Sequence, residues 1–219
     1  MKTIQALVFL FLSVFSQLVY SSDKDPLIRT LTTLEEHIDF LELAIDSAQN
    51  ELIIVSPYLS INALSHNKLT DKIQNAMKRG VNVIIYTDNR LDIHNEELCY
   101  RSKKARDLLY RKGISLRVVE HIHCKVIIVD DSCLANGSFN WLSAPRKKGS
   151  IFANFEVTNV LVGGNLKPHI AKIMRTLNSL KFSEDMGLRD FNAKALKARR
   201  GDMLEAQKLI EHYASHLVF

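Results

Sequence analysis

One stretch of the chain, residues 121–141, carries side chains whose types and spacing could do chemistry. His123 and Lys125 stand two residues apart in a largely apolar run, so in a strand both side chains point to the same face. Burying two polar groups there, one of them cationic, is costly unless they have a task. Asp130 has the opposite parity, and we expect its carboxylate to brace the backbone or a neighbouring loop, away from the reacting atom.

A second polar pair follows the first. Ser138 and Asn140 come just after Asn136-Gly137, a dipeptide that predicts a turn. If the chain is extended beyond that turn, the two side chains share one side. We therefore expect Ser138 and Asn140 to return beside His123 and Lys125.

These residue types suit attack on a phosphodiester, whose negative oxygens repel nucleophiles. An ammonium group and an amide donor on those oxygens stabilise the charge that builds up in the transition state. A neutral imidazole is a competent nucleophile near pH 7, and a second imidazole can protonate the leaving oxygen. One chain supplies one such set, so we expect the second histidine to come from a twofold-related subunit.

Helix and strand signals alternate around this stretch and must position it. Thr32 and Glu35 have the spacing of a capping box ahead of a helix. Helices are predicted over 34–48, 69–79, 96–112 and 167–180, and strands over 51–56, 81–87, 114–120, 122–130 and 155–162. Such alternation favours an α/β fold, and continuous apolar runs are typical of strands covered on both faces. We predict a mixed, mostly parallel sheet sandwiched by helices.

The two ends of the chain differ from its middle. Residues 1–21 have the layout of a secretory signal peptide, with Lys2 ahead of an apolar run and a cleavage site after Ser21. This interpretation predicts export to the periplasm or secretion, and an uncleaved membrane anchor is the alternative. Residues 26–182 are the predicted catalytic domain, and the polar, basic residues 183–219 are predicted to be a helical C-terminal extension.

Positive charge is in modest excess, with 29 Lys and Arg against 24 Asp and Glu and a formal net charge of +5. This balance favours anionic partners. Arg146, Lys147 and Lys148 follow the motif directly, and two interpretations stay open for them: contact with a phosphate backbone, or a solvated loop. A basic helix is predicted to be a solvated face through Lys103, Lys104, Arg106, Arg111 and Lys112.

Other reactive side chains are interpreted as structural. Trp141 is predicted to pack in the core, and His37 to be structural or solvated. Cys99, Cys124 and Cys133 have no metal-ligand spacing and are interpreted as mostly buried thiols, with a Cys124–Cys133 bridge left open.

The string His123-x-Lys125-x4-Asp130, followed by Gly137-Ser138-x-Asn140, resembles the HKD motif of the phospholipase D superfamily. Because the motif occurs once, the chain looks most like the small bacterial endonucleases of that superfamily and their mitochondrial relatives. In those proteins two subunits pair their motifs across a dimer axis. The resemblance implies the same homodimer here.

The resemblance also implies roles for the site residues. His123 would form a covalent phosphohistidine, and His123 of the partner subunit would act first as an acid and then, through water, as a base. Lys125 and Asn140 would hold the phosphoryl oxygens, and Ser138 would form a hydrogen bond near the histidine. Glu156 is the candidate for the downstream glutamate that orients the nucleophile. No metal or other cofactor is required by this chemistry.

Three functions follow as expectations. The first is an exported, nonspecific nuclease acting on DNA or RNA, favoured by the single motif and the basic balance. The second is a phospholipase that releases headgroups from membrane phospholipids, for which the apolar N-terminus would serve as a membrane device. The third is a nucleic-acid-binding or lipid-binding module that keeps the fold without turnover.

Overall fold

The computed structural model describes residues 25–88, 96–147 and 149–180, with residues 96–99 described for their backbone alone. The predicted leader, 1–21, and the predicted C-terminal extension, 183–219, lie outside the described residues. Within the described part of the chain, no helix has the length and apolar character needed to cross a bilayer.

A mixed sheet of seven strands organises the described residues. The strands are β1 Leu27–Leu31, β2 Glu51–Val55, β3 Asn82–Asp88, β4 Ser115–Val119, β5 Lys125–Val129, β6 Cys133–Gly137 and β7 Thr158–Val162. Their order across the sheet is β1-β7-β6-β5-β2-β3-β4. This confirms the predicted mixed α/β fold.

The balance of strand directions is more antiparallel than the prediction. Only β2–β3 and β3–β4 are parallel ladders among the described strands, and the other four ladders are antiparallel. Five of the seven described strands still run in one direction, because β5 and β7 alone are reversed. Three of the four antiparallel ladders involve β1 or β6, two short strands that the sequence patterns did not predict.

The predicted turn at Asn136-Gly137 is wrong, because both residues lie inside β6. The chain instead reverses over 130–132, where Asp130 adopts the left-handed region with φ 50°. The resulting β5–β6 hairpin pairs Lys125 with Gly137 at its open end and Val129 with Cys133 at its closed end. Cys124 and Cys133 are therefore at opposite ends of the hairpin, and both are free thiols. The disulfide bridge between Cys124 and Cys133 that the sequence left open is therefore not formed.

The helices are close to their predicted bounds. They are α1 Leu34–Ser47, α2 Ile61–Ser65, α3 Leu69–Lys78, α4 Glu96–Arg111 and α5 Lys167–Ser179, with a short 3-10 turn at His66–Lys68. The capping box of α1 is formed by Thr33 and Glu36, one residue later than predicted. The sequence Thr-Thr-Leu-Glu-Glu fits either register, and the carboxylate of Glu36 accepts the backbone N–H groups of Thr32 at 2.9 Å and Thr33 at 3.0 Å.

Two apolar layers cover the two faces of the sheet. On one face, α1 to α4 pack on alternate strand residues such as Ile54, Ile85 and Ile127. On the other face, α5 packs on the intervening residues, such as Ile53 and Ile128. Trp141 is fully buried against Phe40 and Phe139, which confirms its predicted packing role. Ile170 and Leu177 are the α5 residues that are buried in this second layer. Both faces are covered, as the apolar runs predicted.

Candidate active site

The contact between Lys125 and His123 is the centre of the site. Lys125 begins β5 and is only 7% exposed, and its Nζ donates to the backbone carbonyl of His123 at 2.8 Å. The same Nζ lies 3.3 Å from Nδ1 and 3.2 Å from Nε2 of His123. His123 itself is exposed. The arrangement presents an imidazole to solvent with a cation held beneath it.

Burial sets the electrostatics of this cation. Loss of hydration lowers the pKa of Lys125 below its ordinary value, and the nearby carboxylate of Glu156 acts in the opposite direction. A buried cation of this kind strengthens the binding of an anion beside His123, because few waters screen the attraction between the two charges.

Neighbouring strand ends hold His123 in place. The ring of Tyr58 meets the ring of His123 edge-on, with centroids 6.5 Å apart. Ser56 donates its hydroxyl to the Tyr58 carbonyl at 2.9 Å and accepts the Leu142 N–H at 3.0 Å. These bonds tie the end of β2 to the segment that follows the motif.

Asp88 is a site residue that the sequence analysis did not single out. It is fully buried at the end of β3, and its carboxylate accepts the backbone N–H of Ile122 at 3.0 Å. The bond fixes the chain immediately before His123, where His121 has a φ of 63°. The signal in the sequence that could have identified Asp88 is an acidic residue at the end of an apolar strand.

Asp130 acts on the backbone at the other end of β5. Its carboxylate accepts the N–H groups of Gln49 at 3.1 Å, Asn50 at 2.7 Å and Glu51 at 2.8 Å. The five residue steps from Lys125 to Asp130 span roughly 16 Å of extended chain. The predicted bracing contact is confirmed, and it anchors the start of β2.

Gly137 and Ser138 join β6 to the start of β7. A Cβ on Gly137 would lie 2.3 Å from the carbonyl oxygen of Val157, so a side chain does not fit. Ser138 donates its N–H to that carbonyl at 3.0 Å, and its Oγ accepts the Val157 N–H at 3.1 Å. Ser138 thus positions the segment containing Glu156, whereas the resemblance implied a hydrogen bond nearer to the histidine.

Asn140 and Glu156 meet at a cleft of about 150 Å³. The Oδ1 atom of Asn140 is buried and has no hydrogen-bond partner among the described residues. Glu156 is half-buried, and its charge opposes the lowering by burial of the pKa values of Lys125 and His37. No hydrogen bond joins Glu156 to His123 in the described part of the chain, and its orienting role stays a prediction.

His37 forms one wall of this cleft and is fully buried, which agrees with a structural role. Its Nδ1 donates to the Thr33 carbonyl at 2.6 Å, so Nε2 accepts the hydroxyl of Thr158 at 3.0 Å. The ring stacks on Phe139 with centroids 4.3 Å apart. Burial lowers the pKa of His37. No local pattern in the sequence predicts that this histidine borders the cleft.

The basic segment after the motif is divided by the fold. Arg146 turns inward: it donates to the Trp141 carbonyl and lies over the Phe139 ring, 5.8 Å from the ring centroid. Burial lowers the pKa of Arg146 to about 10, which leaves it charged at neutral pH. Lys147 is exposed, and Lys148 lies outside the described residues. Phosphate contact by these residues stays a prediction.

The predicted solvated face of α4 is wrong for one residue. Arg106 is buried and donates to the Ser102 hydroxyl at 3.0 Å. Lys103 and Arg111 are exposed. Across the residues with described side chains, no three His, Cys, Asp or Glu groups are arranged to hold a metal ion.

A seven-stranded α/β sheet with this His-Lys pair at the open end of a hairpin defines a phospholipase D-like domain. The chain belongs to the family described as "Cardiolipin synthase, PLD-like domain", which matches residues 41–177. It is thus a member of the phospholipase D superfamily, and phosphodiester chemistry is the function that membership supports. No curated protein matches the sequence.

Solved structures share the fold. Nuc from Salmonella typhimurium, a phospholipase D family member, has a TM-score of 0.53 at 23% identity, over 73% of this chain and 99% of that chain. NucT from Helicobacter pylori has a TM-score of 0.51 at 18% identity, over 73% and 100%. Phosphatidylserine synthase from Haemophilus influenzae Rd KW20 has a TM-score of 0.56 at 16% identity, over 84% of this chain and 47% of that chain.

Proposed function

We propose that this protein is a metal-independent, nonspecific endonuclease that hydrolyses DNA or RNA as a homodimer. The observation that carries the proposal is the buried Lys125 ammonium held 3.2 Å from a ring nitrogen of the exposed His123. That pair combines a nucleophile with a cation for the phosphoryl oxygens. The positive net charge of +5 supports a polyanionic substrate.

The reaction proceeds in two displacements. A ring nitrogen of His123 attacks phosphorus, the bond to the leaving oxygen breaks, and His123 of the partner subunit gives that oxygen a proton. Water then attacks the phosphohistidine, and the same partner histidine takes the proton of the water as the N–P bond breaks. Lys125 and Asn140 hold the phosphoryl oxygens through both steps.

The remaining residues support this chemistry. Glu156 orients the nucleophilic histidine, and Lys147 contacts the phosphate backbone. Asp130 fixes the far end of β5, and Ser138 fixes the segment that carries Glu156. The homodimer is required because a single chain brings one motif histidine. Residues 1–21 direct export as a signal peptide, with membrane anchoring as the alternative role of that segment.

A second candidate is a phospholipase that releases headgroups from membrane phospholipids. The family description names a lipid enzyme, and the similar Haemophilus structure is a phosphatidylserine synthase. The same His-Lys pair would serve either phosphodiester. We favour the nuclease because the charge balance of the chain is basic, which suits a polyanionic substrate.

The test is hydrolysis by the purified chain in EDTA, with single-stranded DNA, double-stranded DNA, RNA and phosphatidylcholine vesicles side by side. We expect nucleic acid to be cut, and His123→Ala to abolish cutting. His121→Ala is the matched control, because His121 is an exposed histidine two residues away. Headgroup release without nucleic-acid cleavage would establish the phospholipase, and activity retained by His123→Ala would refute the mechanism.

A further inference from the structure

His37 is a fully buried histidine near the start of α1 that contacts two segments far from it in the sequence. Burying an imidazole costs hydration, so both ring nitrogens need partners. Nδ1 donates to the Thr33 carbonyl at 2.6 Å, and Nε2 lies 3.0 Å from the Thr158 hydroxyl. An apolar side chain would fill this position in the core without that cost. The proposed reaction does not use the ring, so its contacts must indicate what it does.

The hydroxyl of Thr158 ties the ring to the segment that carries Glu156. Burial lowers the pKa of His37, so the ring is neutral near pH 7 and its Nε2 accepts the Thr158 hydroxyl. Thr158 is itself fully buried, opposite Gly137 in the β6–β7 ladder. A Cβ on Gly137 would lie 2.4 Å from the Thr158 Oγ1, so the hydroxyl packs directly on the glycine. The bond therefore fixes the start of β7, two residues after Glu156.

The face of the ring supports the other segment of the cleft. His37 stacks on Phe139, with ring centroids 4.3 Å apart and planes 22° apart, and its centroid lies 5.8 Å from that of Trp141. Asn140 lies between these two aromatic residues in the chain, and it lines the same cleft as His37. One ring thus contacts both segments that carry polar groups into the cleft.

We propose that His37 is a positioning residue for the phosphodiester reaction, holding both of these segments at once. Its ring face holds Phe139, and so the adjoining Asn140. Its Nε2 holds Thr158, and so Glu156 two residues earlier. The inference rests on the proposed function, because it takes Asn140 and Glu156 as the groups that act on the phosphoryl oxygens and on the nucleophile.

Positioning of this kind acts on the rate of the reaction. A small displacement of Asn140 or Glu156 weakens contacts to the transition state, whereas contacts spread over the substrate still bind it. We therefore expect the loss of the His37 contacts to lower kcat and to leave KM nearly unchanged.

A double-mutant cycle in the full chain tests this, with whichever phosphodiester the parent hydrolyses in EDTA. Thr158→Val removes the hydroxyl and keeps the shape, and His37→Leu removes the ring. We expect each to lower kcat about tenfold per folded molecule. The double variant should also lose about tenfold, because both changes break the same bond. The folded fraction is measured by near-UV circular dichroism.

Two further variants separate positioning from stability. His37→Gln should restore most of the kcat lost in His37→Leu, because the amide end of glutamine can reach the place of Nε2 and bond to Thr158. Ile45→Val is the control, since Ile45 is fully buried in the same helix, eight positions further on. It should cost stability and leave kcat per folded molecule at the value of the parent.

Hydrogen exchange gives a readout that needs no turnover. Ser138 and Val157 join the two segments through backbone N–H bonds. In Thr158→Val and His37→Leu, peptides covering 137–142 and 154–158 should exchange faster than in the parent, and peptides from β2 and β3 should change less.

If no phosphodiester is hydrolysed, the proposed function fails, and hydrogen exchange still decides whether His37 holds the two segments. Equal acceleration in β2 and β3 would assign His37 a purely structural role and overturn the inference. Unchanged kcat in both single variants, or a loss of about a hundredfold in the double variant, would overturn it as well.

Discussion

At the scale of single residues, the site depends on keeping a lysine charged where water is scarce. Lys125 is buried against His123 with no acidic hydrogen-bond partner among the described residues, and the carboxylate of Glu156 is the charge that favours its protonation. The catalytic pair therefore has an electrostatic balance that pH can upset. Its direction follows from the lowered pKa of the lysine.

The pH dependence of activity tests this balance. Lys125 carries its charge below its pKa, so activity is present at lower pH and is lost as pH rises through that lowered pKa. Glu156→Gln removes the charge that raises the pKa, and we expect the alkaline limb of the kcat/KM profile to move to lower pH. Asp131→Asn, on an exposed aspartate that pairs with Lys167, should leave the limb in place. A limb that moves upward in Glu156→Gln contradicts the account.

At the scale of elements, Asp130 fastens one end of the motif hairpin to β2. Asp130→Ala leaves three backbone N–H groups without their acceptor. We expect a loss of about 1–3 kcal/mol in the free energy of unfolding, measured by urea denaturation. Activity per folded molecule should persist, because Asp130 is remote from His123. Asp131→Ala, next in sequence, should cost less than about 1 kcal/mol as an exposed ion pair.

The link between α1 and β7 through His37 makes stability depend on pH. The folded state lowers the pKa of His37 by burial, although Glu156 and Glu36 oppose the shift. Below the unfolded pKa of about 6.5 the unfolded chain binds a proton that the folded chain resists, so stability falls as pH drops through that value. The slope from this residue is at most about 1.4 kcal/mol per pH unit.

His37→Gln should remove that part of the slope. We expect the variant to be less stable than the parent at pH 8. The difference between their urea midpoints should shrink as the pH is lowered from 8 to 5, because only the parent loses stability through His37. His66→Gln serves as the control, since His66 is a partly exposed histidine in the 3-10 turn. Parallel curves for His37→Gln and the parent would contradict a buried neutral His37.

Sequence patterns predicted the helices and strands that are long or strongly apolar. They missed the strands whose conformation depends on hydrogen bonding to a neighbouring strand. Strands β2 and β3 were found because their apolar runs are continuous. Strand β1 has four exposed residues out of five, and β6 contains Asn136-Gly137, so neither has a strand pattern. Their strand conformation comes from ladders with distant partners, which a local pattern does not contain.

The site divides in the same way. The spacing of His123 and Lys125 predicted their contact, because two residues apart on an extended chain is a local relation. The cleft wall was not predictable, since His37 reaches Thr158 across 121 positions of the chain. Arg106 and Arg146 look like solvated cations in the sequence, and only the packing around them makes them partly or fully buried.

At the scale of the whole molecule, the proposed mechanism makes activity a property of the pair of subunits. Each composite site needs His123 from both chains, so a mixed dimer with His123→Ala has one histidine too few. When equal amounts of parent and variant are refolded together, the mixture should have about half the activity of the same amount of parent refolded without the variant. His121→Ala should have no such effect, and sedimentation should report a dimer for each sample. Full activity in the His123→Ala mixture would refute the shared site.

The connectivity of the sheet also sets an order of assembly. The β5–β6 hairpin joins residues four to twelve positions apart, whereas β1 closes onto β7 across 135 positions, from Leu27 to Val162. Loop closure over the longer distance costs more entropy, so we expect the β5–β6 hairpin to form early and β1 to dock late. Leu31→Ala should then accelerate unfolding in stopped-flow experiments and leave the refolding rate nearly unchanged. In this order of assembly Lys125 takes its place in the hairpin before the chain has closed its outer strand.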